Sequence, residues 1–308
     1  MNLEALKIFL TLAEEKNFTT TSKKLLISQP SVSLHIKNLE EELQTKLFWR
    51  TTKQLKITPE GLILYEKAKQ VLHLVEQINE EIKQRQGTIS GVLKIGASFT
   101  AGEYLLPRIL SSLTQKYPDM NLEIEIGNTN NVAERINSLE LDIGIIEGDI
   151  GFPDLRSATF FSDELFIVAN CDHPLTVKKE VDIQSLQDQT WIKREEGSNL
   201  RVYLDQFLSS NQLREKHTIV FNSNEGIKEA IIHGAGMSLL SSTMIERELL
   251  HGYMGKVQFT KQVDFHRKFA YLYSPFMENN LLVRTFIEEL QDNPLSLLVN
   301  QMRQGEST

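Results

Sequence analysis

The sequence predicts a mainly helical N-terminal head with a small β-hairpin, then one long helix, then an α/β body in two lobes. Three observations carry this. Residues 1–58 place apolar side chains at helical spacing in three short segments. Residues 62–86 contain neither Gly nor Pro. From Gly91 onward, short apolar strands alternate with helical stretches.

In the head, Leu3, Leu6, Phe9, Leu10 and Ala13 share a helical face, with Asn2 placed to cap it and Glu4 in the first turn. A short second helix follows Thr19 and runs through Ser22 to Leu26. A third starts at Gln29-Pro30 and buries Val32, Ile36, Leu39 and Leu43. Two short apolar pieces around a polar tip, Lys46–Ile57, suit a β-hairpin or wing. Thr58-Pro59-Glu60 is a helix start: a cap, a preset φ and an acid near the positive dipole end. Along the helix that follows, Leu64, Ala68, Val71, Val75, Ile78 and Ile82 form a seam of about 3.5-residue period, the pattern of a dimerising coiled coil. Gly87 ends it.

Strands are predicted at Val92–Ala97, Leu122–Ile126, Leu141–Ile146, Leu165–Ala169, Thr218–Phe221, Met237–Leu240 and Phe269–Tyr273. Helices are predicted over 103–116, 131–139, 198–210 and 224–233. The expected body is α/β with a largely parallel sheet, split into two lobes.

The 308 residues suffice for about two domains. With 41% apolar and 24% charged residues, 16 Gly and 8 Pro, the profile excludes collagen-like, low-complexity and disordered chains. One cysteine, Cys171, builds no disulfide framework and suits a reducing compartment. The start, Met1-Asn2-Leu3-Glu4, lacks the blocks of a signal peptide, and no apolar run approaches the ~18 residues of a membrane span, so a cytoplasmic protein with no membrane partner is expected. The net charge of −8 is uneven: residues 1–86 carry 13 basic and 11 acidic side chains, residues 87–308 carry 20 and 30. An acidic body repels a polyanion, while a slightly basic head can dock one locally.

The stretch from Phe18 to Glu40 carries the most chemistry. Two short helices and a tight turn present the N-terminus of the second to a major groove. With Val32, Ile36 and Leu39 inward, the opposite side carries Pro30, Leu34, Lys37 and Asn38, flanked by Ser31, Ser33 and His35. The Gln29 amide suits adenine edges, Ser33 donates or accepts, and Leu34 suits a thymine methyl. Lys37, Arg50 and Lys53 suit phosphates, which orient without reading sequence. Periodicity alone fits a DNA-reading head and a plain three-helix core equally.

A series of ordered words tips this balance: Leu6…Phe9, Asn17-Phe18-Thr19, Ser28-Gln29-Pro30-Ser31-Val32-Ser33, Ile36…Leu39-Glu40, Leu47-Phe48…Arg50 and Thr58-Pro59-Glu60-Gly61. They resemble the winged helix-turn-helix of LysR-type transcriptional regulators. Two departures stand out: Thr21-Ser22 replaces a common Ala-Ala, and Leu34 replaces a common polar residue. The resemblance continues through Leu105-Leu106-Pro107, Tyr117-Pro118, Leu141–Ile145, His173-Pro174-Leu175 and Gly234–Leu240. It implies a winged helix-turn-helix at 1–58 and a linker and dimerisation helix at 59–87. It further implies a type II periplasmic-binding-protein-like effector domain at 91–300, with lobe I at about 91–164 and 269–300 and lobe II at about 165–268. Within the family, Ser31–Lys37, Ala97–Tyr104 and Ile126–Thr129 resemble the CysL-like activators of sulfite reductase genes.

The implied partners are double-stranded DNA bearing an interrupted inverted repeat, a small-molecule effector, further copies of the chain as a dimer or dimer of dimers, and RNA polymerase. The implied DNA contacts are Thr20, Gln29, Pro30, Ser31, Ser33, Leu34, His35, Lys37, Arg50 and Lys53. Small polar residues stand at four strand-to-helix junctions: Ser98-Phe99-Thr100, Asn128-Thr129, Gly197-Ser198-Asn199 and Asn222-Ser223-Asn224. Such residues are ordinary N-caps, and converging helix N-termini also hold small anions. The resemblance favours the second reading, an effector cleft at Ser98, Thr100, Thr129, Ser198 and Asn222 with Arg201 beside them.

Other signals have plainer readings. Cys171-Asp172-His173 lacks a resolving thiol, and the seven His show no metal-ligand spacing. Gly234-Ala235-Gly236 follows a helix and precedes a strand, so it terminates a helix rather than cradling phosphate. Gly96-Ala97-Ser98 lacks the closing Gly of a nucleophile elbow. No metal, cofactor or enzymatic activity is expected.

Overall fold

Each helix of the head begins where a short polar side chain satisfies free amides. Asn2 Oδ1 accepts from Ala5 N at 2.8 Å to start α1 (Leu3–Glu15), and Asn17 accepts from Thr19 N and Thr20 N to start α2 (Phe18–Lys24). Ser28 accepts from Ser31 N at 3.2 Å to start α3 (Gln29–Leu43), with Pro30 in its first turn. These elements belong to a computed structural model that describes residues 1–50, 54–84, 89–148, 151–261, 263 and 265–292. The chain divides into two units, 1–88 and 89–308.

In the first unit, Val32, Ile36 and Leu39 of α3 pack with Leu6, Phe9 and Leu12 of α1. Thr21 and Ser22 are buried, and their hydroxyls donate to Asn17 O at 2.8 Å and Thr19 O at 2.9 Å. Leu43 was expected inside and is instead 39% exposed, because it is the last residue before the left-handed Gln44 ends the helix. The wing strands β1 (Phe48–Arg50) and β2 (Leu55–Ile57) pair antiparallel, Phe48 against Ile57.

One buried carboxylate joins α3 to this wing. Glu40 accepts from Leu47 N at 3.1 Å and Phe48 N at 3.4 Å, and pairs with Lys46 at 2.9 Å. Burial pushes its carboxyl up, but Lys46 and the two amides outweigh that and hold it below the usual range. The long helix α4 (Pro59–Gln84) starts beside the same strand. Thr58 Oγ1 donates to Lys46 O at 2.7 Å and accepts from Gly61 N at 2.9 Å. A Cβ at Gly61 would overlap the Leu47 carbonyl oxygen, which explains the glycine. The predicted seam divides along α4: Ala68 is buried in the head's own core with Leu64 packed against it. Val71, Ile78 and Ile82 are 38%, 56% and 59% exposed. The expected stop at Gly87 lies outside the described residues.

The second unit begins with β3 (Gly91–Ser98), which pairs parallel with β4 (Met120–Gly127) and β5 (Ile143–Glu147). Between these strands run a π-helical turn at Ala101–Leu105, α5 (Leu106–Lys116) and α6 (Thr129–Asn137). Next come β6 (Arg156–Asn170), β7 (Gln189–Arg194), α7 (Asn199–Ser210), β8 (Glu215–Phe221) and α8 (Asn224–Ile232). The chain continues through β9 (Ser238–Ser241), α9 (Ser242–Leu250), β10 (Met254–Lys256), β11 (His266–Tyr273) and α10 (Leu281–Asp292).

The sheet is mixed rather than largely parallel. β11 runs antiparallel to β5 and β6, and β6 runs antiparallel to β9 and β10; β7 and β8 form a separate parallel pair. The long strand β6 serves both lobes. Phe161 of β6 lies in one core with Leu93, Ile95, Ile109 and Phe286, while Leu165 and Ile167 lie in a second with Trp191, Leu204 and Leu239. The strands β7 and β10 and the helices α9 and α10 were not foreseen. Gly234, at φ +75°, ends α8 as expected. No helix among the described residues is long and apolar enough to cross a membrane.

Replacing Glu40 by Ala should leave two buried amides without an acceptor and weaken the α3–wing junction by about 2 kcal/mol. Amide exchange at Leu47 and Phe48 should then accelerate about thirtyfold. Because the folded-state pKa is depressed, the wild-type contribution is full above about pH 4.3 and fades as the pH falls through the lower folded value. The variant should lose that share of the acid dependence.

Candidate nucleic-acid interface and ligand cleft

At the start of α3, Gln29 and Pro30 are exposed and Ser31 and Ser33 half-buried, as the buried Val32–Ile36–Leu39 stripe dictates. One turn on, Leu34 is 57% exposed, His35 is half-buried and Lys37 is exposed, 3.5 Å from Glu41. Thr20, on α2, is also exposed. The turn into α3 contains Leu26, at φ +55° and 92% exposed. Seven predicted contacts thus share the first turns of α3 and Thr20 lies on the preceding helix. Of the two wing positions, Arg50 lies in β1 and Lys53 lies outside the described residues. In β1, Trp49 is 56% exposed. An exposed helix N-terminus bearing amide, hydroxyl and methyl groups beside a short β-ribbon is the equipment for reading a groove.

The second unit contains a small cleft, lined by the ends of β3, β4, β5 and β7 and the starts of α6 and α7. Ser98, Thr100, Thr129 and Ser198 all line it, so three of the four predicted junctions converge. Ser98 and Thr100 are almost fully buried, and Ser98 Oγ donates to Ile145 O at 3.3 Å. Ser198 caps α7 without a side-chain bond to the helix. Two predicted residues stay outside the lining. Asn222 is exposed, because Ser223 takes over the capping of α8 by accepting from Gly226 N at 3.1 Å. Arg201 turns along its own helix to Asp205 and donates to Arg194 O at 3.1 Å.

Sequence reasoning missed the charged lining: Glu147, Arg194, Glu195 and Arg267. Arg194 is 3% exposed and grips Glu195 through two bonds of 2.8 Å while lying 4.6 Å from the Phe99 ring centre. Burial pushes the Glu195 carboxyl up, and Arg194 more than offsets this and holds it below the usual range. Arg194 also donates to Asn224 Oδ1, whose own amide donates to Glu103 Oε2 at 2.8 Å. From the π-helical turn, Tyr104 donates to Glu225 at 2.8 Å, and Arg108 pairs with Glu246 at 2.6 Å. These bonds tie the first lobe to the second beside the cleft.

Arg267 lies at the floor, 1% exposed. Its Nη2 is 3.2 Å from Asp163 Oδ2 and its Nη1 3.7 Å from Glu147 Oε1. Asp163 also accepts from the hydroxyls of Ser241, Ser242 and Thr243 at the start of α9. Among the described residues no cluster of His, Cys, Asp and Glu is placed to hold a metal ion. Cys171 is half-buried in the turn after β6.

A groove-reading head and a two-lobed ligand cleft on one chain define an effector-binding transcription regulator. Residues 3–62 match the family described as bacterial regulatory helix-turn-helix protein, lysR family, and residues 86–294 match the LysR substrate binding domain. The chain belongs to the LysR family of transcriptional regulators. It is 46% identical over 299 residues to the HTH-type transcriptional regulator CysL of Bacillus subtilis (strain 168), covering 97% of this chain and 100% of that one. A full-length OxyR variant from Pseudomonas aeruginosa superposes with a TM-score of 0.76 at 26% identity, over 94% of this chain and 95% of that one. The Synechocystis PCC6803 CcmR regulatory domain in complex with 2-PG has a TM-score of 0.60 at 26% identity, over 66% of this chain and 96% of that domain.

Removing the Asp163 carboxylate would leave Arg267 buried with only the more distant Glu147. Asp163→Ala should therefore lower the stability of the second unit by about 3–5 kcal/mol, read as an earlier urea midpoint.

Proposed function

We propose that this chain is an effector-responsive activator of sulfur-assimilation genes, those for sulfite reductase first among them. The observation that carries the effector reading is the convergence of three strand-to-helix junctions on one small cleft whose lining includes two buried arginines. Helix N-termini favour a small anion. A solved relative, the CcmR regulatory domain, is described in complex with 2-PG, which supports ligand binding by this kind of domain. The assignment of target genes rests on likeness to CysL over nearly the whole chain.

On this reading Thr20, Gln29, Pro30, Ser31, Ser33, Leu34, His35 and Lys37 face DNA, with Arg50 and Lys53 at backbone phosphates. Ser98, Thr100, Thr129 and Ser198 hold the effector. The domains run 1–58, 59–87 and 91–300. Two chains pair through Val71, Val75, Ile78 and Ile82, and two such dimers form a cytoplasmic tetramer that reads an interrupted inverted repeat and contacts RNA polymerase. The protein acts by binding rather than by turnover. An effector shifts the assembly only by its differential affinity for two states, about 1.4 kcal/mol for each tenfold change.

A genome-wide binding map is expected to show enrichment near sulfate and sulfite reduction genes; no enrichment there would overturn the pathway. Gln29→Ala should abolish the preference for operator over random duplex, whereas an accessory N-terminal head on a solute-binding protein would show no such preference to lose. Thr100→Val should remove the effector response while dimerisation and basal DNA binding persist, and an unchanged effector titration would refute the cleft.

A further inference from the structure

Two oxygens lining the cleft are buried acceptors without a protein donor among the described residues: Glu147 Oε1 and Asn199 Oδ1. Glu147 stands at the C-terminal end of β5 and is 5% exposed. Arg267 Nη1, at 3.7 Å from Oε1, supplies charge but lies beyond hydrogen-bond length. An acceptor buried without a donor is costly, and a hydrogen presented by whatever fills the cleft removes that cost.

Charge narrows the choice. The ionisable lining is Arg194 and Arg267 against Glu147 and Glu195, so it is formally neutral, and Arg267 is shared further with Asp163. Arg194 is already committed to Glu195 and Asn224. The cleft therefore offers an anion the hydroxyls of Thr100, Thr129 and Ser198 and two helix N-termini rather than surplus positive charge. The cleft is small, with about 20 Å3 open to the centre of a water-sized sphere, which suits only a compact ligand.

We infer that Glu147 determines specificity by reading a proton on the ligand: the cleft accepts a compact oxyanion that still carries a hydrogen and rejects an isosteric one that is fully ionised. This rests on the cleft being the effector site. A carboxylate facing an O–H makes a charge-assisted bond. The same carboxylate facing a bare O⁻ meets repulsion with nothing in return, and a site built around such a polar group discriminates strongly against the analogue lacking its partner.

The test is calorimetric titration of the full-length protein with inorganic phosphate, sulfite and sulfate. Phosphate and sulfate share a tetrahedral shape, and near neutral pH only phosphate keeps a proton. Phosphate or sulfite should bind at least about tenfold more tightly than sulfate, equivalent to ~1.4 kcal/mol. Sulfite should weaken as it loses its proton between mildly acidic and mildly alkaline buffer. In Glu147→Gln, the amide donates to a bare oxygen, so sulfate should gain about tenfold and the preference should collapse. The wild-type ratio and the sulfite pH series stand as tests even if that variant folds poorly. Sulfate matching both other anions on the wild type, or a ratio unmoved in a folded Glu147→Gln, overturns this inference and leaves the cleft reading standing. Binding of none of the three, or binding indifferent to Thr100→Val, overturns the cleft reading and this inference with it.

Discussion

The second unit is organised around one buried carboxylate. Asp163 accepts from three hydroxyls at the start of α9 and from the guanidinium of Arg267, so a single side chain of β6 joins β9, α9 and β11. A buried ion pair adds little net stability over well-packed apolar residues, but removing one partner strands the other. What it supplies here is position. Arg267 is held at the cleft floor with one nitrogen turned to Glu147, and the strands that carry these groups also enclose the cleft.

A comparable junction sets the wing against the reading helix. Glu40 is one turn beyond Ile36 on the buried side of α3, so the helix that presents Gln29 also holds the amides of Leu47 and Phe48. Thr58 and Gly61 then fit α4 against the same segment. Recognition helix, wing and linker helix are thus fixed by contacts within about twenty residues of chain, which is why the words Leu39-Glu40, Leu47-Phe48 and Thr58-Pro59-Glu60-Gly61 occur together.

Locality also explains what could be read from residues alone. Caps such as Asn2, Asn17, Ser28 and Asn128 act on amides three residues away or less, and the structure shows those bonds. Ser98, Thr100, Thr129 and Ser198 were legible because strand-to-helix junctions place small polar residues at the carboxyl ends of strands, where α/β clefts lie. Glu147 and Arg194 end β5 and β7, and the same rule would have found them had the strand at 141–146 been extended by one residue and β7 been recognised. Gln189–Arg194 is too polar to advertise a strand. Arg267 had no local signal, since its importance comes from an antiparallel pairing with a strand about a hundred residues earlier. Arg201 pairs with Asp205 four residues on, a local partner that helical spacing alone makes legible. The seam on α4 was periodic throughout, yet spacing does not reveal that Ala68 serves the head's own core.

β6 passes from one lobe to the other without interruption, and its pairing with β11 slips by one residue between Phe269 and Ala270, two positions beyond Arg267. A continuous ribbon permits rocking only through added twist or bend, and a bulge is where such a ribbon bends with least resistance. A bend at this bulge is therefore felt by the backbone that carries Arg267, two residues away.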